Sequence, residues 1–476
     1  MAMVISGATI IDGVADKPTE GRSIWIEGGR IKAIGSRDDV GRPPGAKVID
    51  ARGKYVIPGL MNANVHLLMD MRLETLVRHL GNYEGVIAEA AQIALKGGLT
   101  TVFDTWGPRR FLMKVRDEID AGKRVGSRVF CGGNIVGLDG PLSRDFFKSE
   151  SGASAALTNH INAIWVENVG RHLMWQPPER VAREVRTYIG KGVDFIKYAS
   201  NGHGGAFGSA FLAFSSEVQA AIVGEAHRAG LTAQAHTTTV EGLRMAAEAG
   251  CELVQHANMT GPATIPEKTL ELLSKRSVGA VIFPFTQRRL DWIKENASDA
   301  DRTLWGASDI NARNLIACGA PLLAATDGWV WTPDMKADPL FDRAHLTPGD
   351  DNLFDIATGH FAWFRAMEEK GCAPRDMLRA ATRNIAVAYG KDKDLGTLEP
   401  DKIADMLILD RNPLQAAANY RSIRTVIKDG AVVNVDALPE NPVLTKPLEP
   451  AQEEASYISF LTSEVGFPLC PMCMRG

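Results

Sequence analysis

Three histidines, one lysine and one aspartate stand out because each follows a short apolar run that reads as a β-strand. They are His66 in "NANVH", Lys197 in "DFIKYAS", His236 in "LTAQAH", His256 in "CELVQH" and Asp327 in "LLAATD". The chain has only ten histidines. A single histidine at a strand end is ordinarily a hydrogen-bonded core residue. Imidazoles, an amine and a carboxylate at several strand ends are instead the donor chemistry of a metal centre. Asn64 lies two residues before His66, so on an extended strand both face one side and reach one ion. Lys197 closes the apolar run "VDFIK", where desolvation lowers the amine pKa. The neutral amine can take up carbon dioxide as a carbamate, an anionic ligand able to bridge two ions, whereas a buried carboxylate partner would keep it cationic. Asp327 can ligate an ion and accept a proton from water whose pKa a divalent ion has brought to roughly 7.

Those groups need a scaffold that gathers strand ends. From about residue 58 to 390, β-branched runs alternate with helical patterns such as "EGVIAEAAQIALKGG" and "TVEGLRMAAEAG". Candidate strands end near His66, Asp104, Cys131, Lys197, His236, His256, Phe283 and Thr326. Eight strand–helix units predict an α/β protein, a (β/α)8 TIM barrel whose chemistry sits at the C-terminal strand ends. Segment 133–188, with Gly, Pro, Trp and His, reads as an irregular loop insertion over the mouth. Residues 1–57 are short alternating runs ("MVISGATIID", "SIWIEGG", "RIKAIG"), and 391–440 repeat the texture in "ADMLILDRNPL" and "IRTVIKDGAVVNV". Together they predict a small composite β-sandwich built from both chain ends. Residues 441–476, with Pro442, Pro447 and Pro450, read as a tail.

Aromatics cluster where the mouth should be: Trp106 after the second strand, Phe283 and Phe285 at the seventh, Trp329 and Trp331 beyond Asp327. They favour a flat apolar substrate over a sugar or a charged metabolite. His203 in "SNGHGG" is placed either to polarise a carbonyl or to cap its loop. Arg288 and Arg289, beyond the seventh strand, suit the carboxylate of an amino-acid product and define an alternative, a peptidase. A non-catalytic barrel with a decayed site is a further alternative, opposed by the intact Lys197, His236, His256 and Asp327.

The composition narrows the partners. The chain has 476 residues, 45% hydrophobic and 23% charged, with 53 basic against 57 acidic side chains and a net charge of −4. It can bury a large core, and it has no basic run dense enough for nucleic acid. No stretch reaches the roughly 18 apolar residues of a membrane span, and "MAMVISGATIIDG" lacks the form of a signal peptide, so a cytoplasmic protein without a membrane partner is expected. Cys131, Cys251, Cys318 and Cys372 read as reduced thiols. Cys470 and Cys473 in "CPMC" could be half a zinc site or a redox pair; without a second pair they read as free thiols or a local structural element.

In order along the chain, "VIPGLMNANVH", "GVDFIKYASNGHGG", "AHRAGLTAQAH", "AEAGCELVQHA" and "AATDG" resemble the motifs of the metal-dependent amidohydrolase superfamily, and "MLRAATRNIAVAYG" with "LGTLEPDKIADMLILDRNPL" resembles its terminal helix and sheet. The resemblance implies one or two divalent ions. His66, Lys197 and Asp327 would serve one position and Lys197, His236 and His256 the other, with Lys197 as a carbamate. Mixed N and O donors suit zinc, cobalt or manganese. It also implies a small-molecule substrate and a homo-oligomer. Two residues depart from the pattern, Asn62 for an aspartate and Asn64 for the first histidine. The resulting Asn-X-His motif resembles the subgroup containing phenylurea hydrolase and molinate hydrolase, which implies hydrolysis of a carbonyl C–N or thiocarbamate bond in an aryl urea, carbamate or amide.

Overall fold

The strands form where β-branched and apolar residues alternate between turn signals. In a computed structural model, residues 2–41, 43–69, 73–146, 155–202, 211–333 and 352–446 are described. His203, Cys470, Cys473, Pro447 and Pro450 lie outside them.

The N-terminal strands are β1 (Met3–Ile10), β2 (Thr19–Glu27), β3 (Arg30–Gly35), β4 (Lys47–Asp50) and β5 (Tyr55–Pro58). The next eight are β6 (Leu60–Val65), β7 (Leu99–Asp104), β8 (Arg128–Cys131), β9 (Ile196–Ala199), β10 (Ala233–His236), β11 (Leu253–Gln255), β12 (Gly279–Ile282) and β13 (Leu322–Ala324). Last come β14 (Met406–Leu409), β15 (Ile423–Lys428) and β16 (Ala431–Val432).

Both chain ends share one mixed eight-stranded sheet in the order β16-β15-β14-β5-β1-β2-β3, with β4 paired to β1. Hydrogen bonding thus joins both chain ends in a single continuous sheet. Along β14, Met406 and Ile408 point into the terminal core with Ile5 and Ile24, while Leu407 and Leu409 point into the central one. β5 divides in the same way, Val56 to one side and Ile57 to the other. Strands covered on both faces read as continuous apolar runs.

The eight central strands are parallel, as a three-stranded sheet β6-β7-β8 and a five-stranded sheet β9-β10-β11-β12-β13. Isolated parallel bridges link their edges at Val136–Tyr198 and Val65–Gly328. Main-chain bonds reinforce both seams: Val136 N donates to Lys197 O at 2.9 Å and His66 N to Gly328 O at 2.9 Å. Helices connect the strands. Val240–Ala249 is typical, starting where Thr239 Oγ1 accepts from Gly242 N and ending at Gly250, whose φ of 93° needs glycine.

Segment 133–188 is more regular than its composition suggests. It carries helices Ala155–Val166 and Pro178–Ile189 and a 3₁₀ turn, Arg171–Trp175. Pro178 at the first helical turn, with Val181, Val185 and Tyr188 buried at helical spacing, explains the second helix. At the other end of the chain, Glu89 on helix Tyr83–Lys96, 1% exposed, accepts from the amides of Val443, Leu444 and Thr445 at 2.6, 2.6 and 3.0 Å and from Thr445 Oγ1. This binds the segment that follows the sheet to the central domain. Among the described residues no helix is long and apolar enough to cross a membrane.

Candidate metal centre

Parallel strands all deliver their C-terminal ends to one side, and the predicted polar residues fall there. Asn64 lies at the end of β6 and His66 just beyond it; Lys197 is in β9, His236 closes β10, His256 follows β11, and Asp327 lies three residues past β13. His256 and Asp327 have φ of 57° and 52°, in the left-handed region that non-glycine residues seldom occupy. Such strain is kept where the surrounding structure needs a side chain aimed in a particular direction.

His66 supplies the most direct chemical clue. Its Nδ1 faces the Trp106 carbonyl at 3.2 Å, and a carbonyl only accepts, so Nδ1 carries the hydrogen. Its Nε2 faces Asp327 Oδ1 at 3.0 Å. A nitrogen lone pair and a carboxylate oxygen this close need a positive charge between them, a proton or a metal ion. Two donors at about 2 Å on a tetrahedral ion stand roughly 3.3 Å apart, so the observed separation is within a few tenths of an ångström of a chelating pair.

Behind this pair, the His236 and His256 rings meet edge to face with centroids 4.8 Å apart, and Phe283 stacks on His256 at 4.9 Å. Burial pushes the His256 imidazole down to about 4 against the attraction of Asp327, which leaves it neutral with a lone pair to offer. Burial opposes ionisation of Asp327, but His256, the His66 hydrogen bond and Lys197 together hold its carboxyl below the usual range. Lys197 is 1% exposed, and burial brings its amine down to about 8, against the attraction of Asp327 and Asp104. Its Nζ donates to Thr105 Oγ1 at 3.0 Å, and it forms no ion pair among the described residues. Asn64 is engaged at both ends of its amide: Oδ1 accepts from Thr105 Oγ1 at 2.5 Å, and Nδ2 donates to Gln255 Oε1 at 3.0 Å. One lone pair of Oδ1 remains.

Among the described residues, no three His, Cys, Asp or Glu side chains stand close enough to hold an ion by themselves. A complete site would draw on Lys197 and Asn64 as well. The donor chemistry fits an ion: three imidazoles, a carboxylate paired at chelating distance, and a buried amine that makes no direct ion pair among the described residues.

The aromatic residues divide. Trp106 is edge-on to His66 at 5.9 Å, stacks on Phe146 at 3.9 Å and donates Nε1 to Asn134 Oδ1. Trp329 and Trp331 stack at 5.4 Å and form a small cluster with Phe354 and Met69. Phe285 packs against Trp305, and Arg289 lies buried over the Trp292 ring at 4.6 Å while Arg288 is exposed.

The sequence reading passed over several residues that matter here. Asp104, fully buried and pushed up to about 6 by burial, accepts from Leu67 N at 2.7 Å and Trp106 N at 3.2 Å, fixing the loops after β6 and β7. Thr105 joins Asn64 to Lys197, and Gln255 and Gln234 lie beneath. Their signal was position: Asp104 and Thr105 at the end of β7, and Gln234 two residues before His236 on the same face.

Parallel strands alternating with helices, with imidazole, amine and carboxylate groups gathered at the strand ends, define an α/β protein with an enzyme-like centre. The chain belongs to the amidohydrolase family, whose profile matches residues 55–433. Members of this family generally use divalent metals and often a carboxylated lysine. The solved structure of molinate hydrolase is similar at a TM-score of 0.88 with 35% identity, covering 94% of this chain and 98% of that one. Phenylurea hydrolase B gives a TM-score of 0.88 with 33% identity, covering 94% and 100%. Imidazolonepropionase of Geobacillus kaustophilus (strain HTA426) is 25% identical over 440 residues, 87% of this chain and 90% of that protein. Family and neighbours together support a hydrolase.

Proposed function

We propose that the protein is a metal-dependent hydrolase that cleaves a carbonyl C–N bond, or the corresponding thiocarbamate bond, in small apolar substrates. Aryl ureas, carbamates and amides, including phenylurea herbicides, form its substrate class. The observation that carries this reading is the facing of His66 Nε2 and Asp327 Oδ1 across 3.0 Å beside a fully buried Lys197. The likeness to molinate hydrolase and phenylurea hydrolase B supports the substrate class.

His66, Lys197, His236, His256, Asp327 and, through its remaining lone pair, Asn64 would hold one or two divalent ions, zinc foremost, with cobalt and manganese as alternatives. Lys197 would do so as its carbamate. A bound divalent ion polarises the scissile carbonyl and makes water acidic. Asp327 then takes the proton of the attacking water on its carboxylate and returns it to the leaving nitrogen. Phe283 and Trp106 border the histidines, and Trp329, Trp331 and Phe285 extend the apolar wall. In this reading the eight central strands close into a barrel over residues 58–390, which the bridges Val136–Tyr198 and Val65–Gly328 support. Residues 1–57 and 391–440 form the companion domain.

The test is a kinetic panel of aryl ureas, thiocarbamates and N-acyl amino acids, with metal content measured on the same protein. Turnover of the ureas or thiocarbamates by metal-loaded protein is expected. Full activity without bound metal, or a preference for N-acyl amino acids, overturns the reading.

A further inference from the structure

Beneath the centre, a line of buried side chains crosses from the companion side of the central domain to Lys197. Tyr389 follows the short helix Arg383–Ala388, with its ring stacked on Phe103 at 3.7 Å. Its hydroxyl donates to the main-chain oxygen of Ala63 at 2.9 Å. Gln234 Nε2 donates to the Tyr389 oxygen at 2.9 Å, and Gln255 Nε2 donates to Gln234 Oε1 at 2.6 Å. Asn64 Nδ2 donates to Gln255 Oε1, Thr105 Oγ1 to Asn64 Oδ1, and Lys197 Nζ to Thr105 Oγ1.

Every link runs in the same sense, and the Ala63 main-chain oxygen dictates it, accepting from both Tyr389 and, at 3.3 Å, Gln255 Nε2. A carbonyl only accepts, so the single Tyr389 proton is spent on Ala63 and the phenol oxygen must accept from Gln234. Gln234 therefore turns its oxygen toward Gln255, Gln255 its oxygen toward Asn64, and Asn64 its oxygen toward Thr105. Thr105 has one proton and gives it to Asn64, so toward Lys197 it can only accept. All these side chains are buried, so water cannot substitute for a broken link.

We propose that this chain, anchored at Tyr389, makes Thr105 and Asn64 positioning residues that orient Lys197 for carboxylation and hold the product in one plane. The inference rests on the reading of Lys197 as a carbamate. In that step the neutral Nζ attacks the carbon of carbon dioxide, an N–C bond forms, one C–O π bond opens to an oxyanion, and one N–H proton is released to water. One N–H survives. Thr105 Oγ1, barred from donating toward Lys197, is the acceptor for that N–H, and the bond fixes which way the two new oxygens point.

The experiment follows the carbamate carbon by NMR in holoenzyme equilibrated with ¹³C-labelled bicarbonate. It compares wild type with Thr105→Val, Thr105→Ser and Tyr389→Phe. Thr105→Val, which keeps the shape and removes the acceptor, is expected to need about tenfold more bicarbonate for half-maximal signal, the effect of one lost hydrogen bond to a charged or polar partner. Thr105→Ser should restore the wild-type requirement. Tyr389→Phe, remote from the substrate, should raise it less than about threefold, because Gln255 Nε2 still donates to Ala63 O and keeps the sense of the links nearer Lys197. In Thr105→Val and Tyr389→Phe kcat should fall with carbamate occupancy while KM stays, and in Thr105→Ser both should match wild type. If Thr105→Val carboxylates at the wild-type bicarbonate level, the positioning role is overturned and the carbamate reading stands. If wild type itself hydrolyses substrate with no carbamate signal, the carbamate reading falls and takes this inference with it.

Discussion

Replacing Lys197 with Met tests whether the amine is held in the domain at the expense of stability. In metal-free protein the amine falls from 10.5 to about 8 because burial disfavours its cation. At 1.36 kcal/mol for each factor of ten, this is a penalty of about 3 kcal/mol. The sign follows from proton counts. Between the folded value near 8 and the unfolded value of 10.5 the unfolded chain binds more protons, so stability rises with pH through that window. Below it the penalty is fully present, and by pH 10 it has fallen to about 1 kcal/mol. Met fills similar volume, carries no charge and gives up the bond to Thr105, a loss of about 1 kcal/mol. Urea unfolding of metal-free protein in carbonate-free buffer should therefore show Lys197→Met more stable than wild type by about 2 kcal/mol at pH 7, with the advantage gone near pH 10. A variant that is less stable at pH 7, or whose difference from wild type does not change with pH, refutes the view of Lys197 as a buried charge kept for chemistry.

Asp327→Asn should retain metal, since the amide oxygen still ligates, yet lower kcat by roughly 10²–10⁴-fold because an amide cannot carry the proton; steady-state kinetics with metal analysis checks both. Trp329→Ala and Trp331→Ala should raise KM for aryl substrates and leave kcat nearly unchanged, since an apolar wall binds ground and transition states alike. Unchanged KM in both would reduce the pair to packing.

The strand ends were legible because a parallel strand leaves two marks, a β-branched run and an abrupt polar stop. β7, β8 and β10 end at Asp104, Cys131 and His236, where those marks fall, and the other central strands end within two residues of theirs. The facing of His66 and Asp327, 261 positions apart, was implied only by the order of strands around the domain. The donor chain from Tyr389 was illegible: Gln234, Gln255 and Thr105 look like ordinary strand residues until their neighbours are known, and polarity depends on a main-chain oxygen that no sequence pattern marks. Segment 133–188 misled because its glycines and prolines outweighed the Val181, Val185 and Tyr188 spacing. The pairing of both chain ends in one sheet also left a mark, the same strand texture at each end. Alternation tells that a strand has two faces, but not that the second face of β14 is covered by the central domain.

The Glu89 carboxylate gives residues 443–445 an importance that their composition conceals. Four donors from residues 443–445 converge on one buried anion in the helix Tyr83–Lys96. Each buried group left unmet costs about 1–3 kcal/mol, so a chain cut where the sheet ends would carry an orphaned charge into its interior. The segment works as a latch between the stretch beyond the sheet and a helix 354 positions earlier in the sequence.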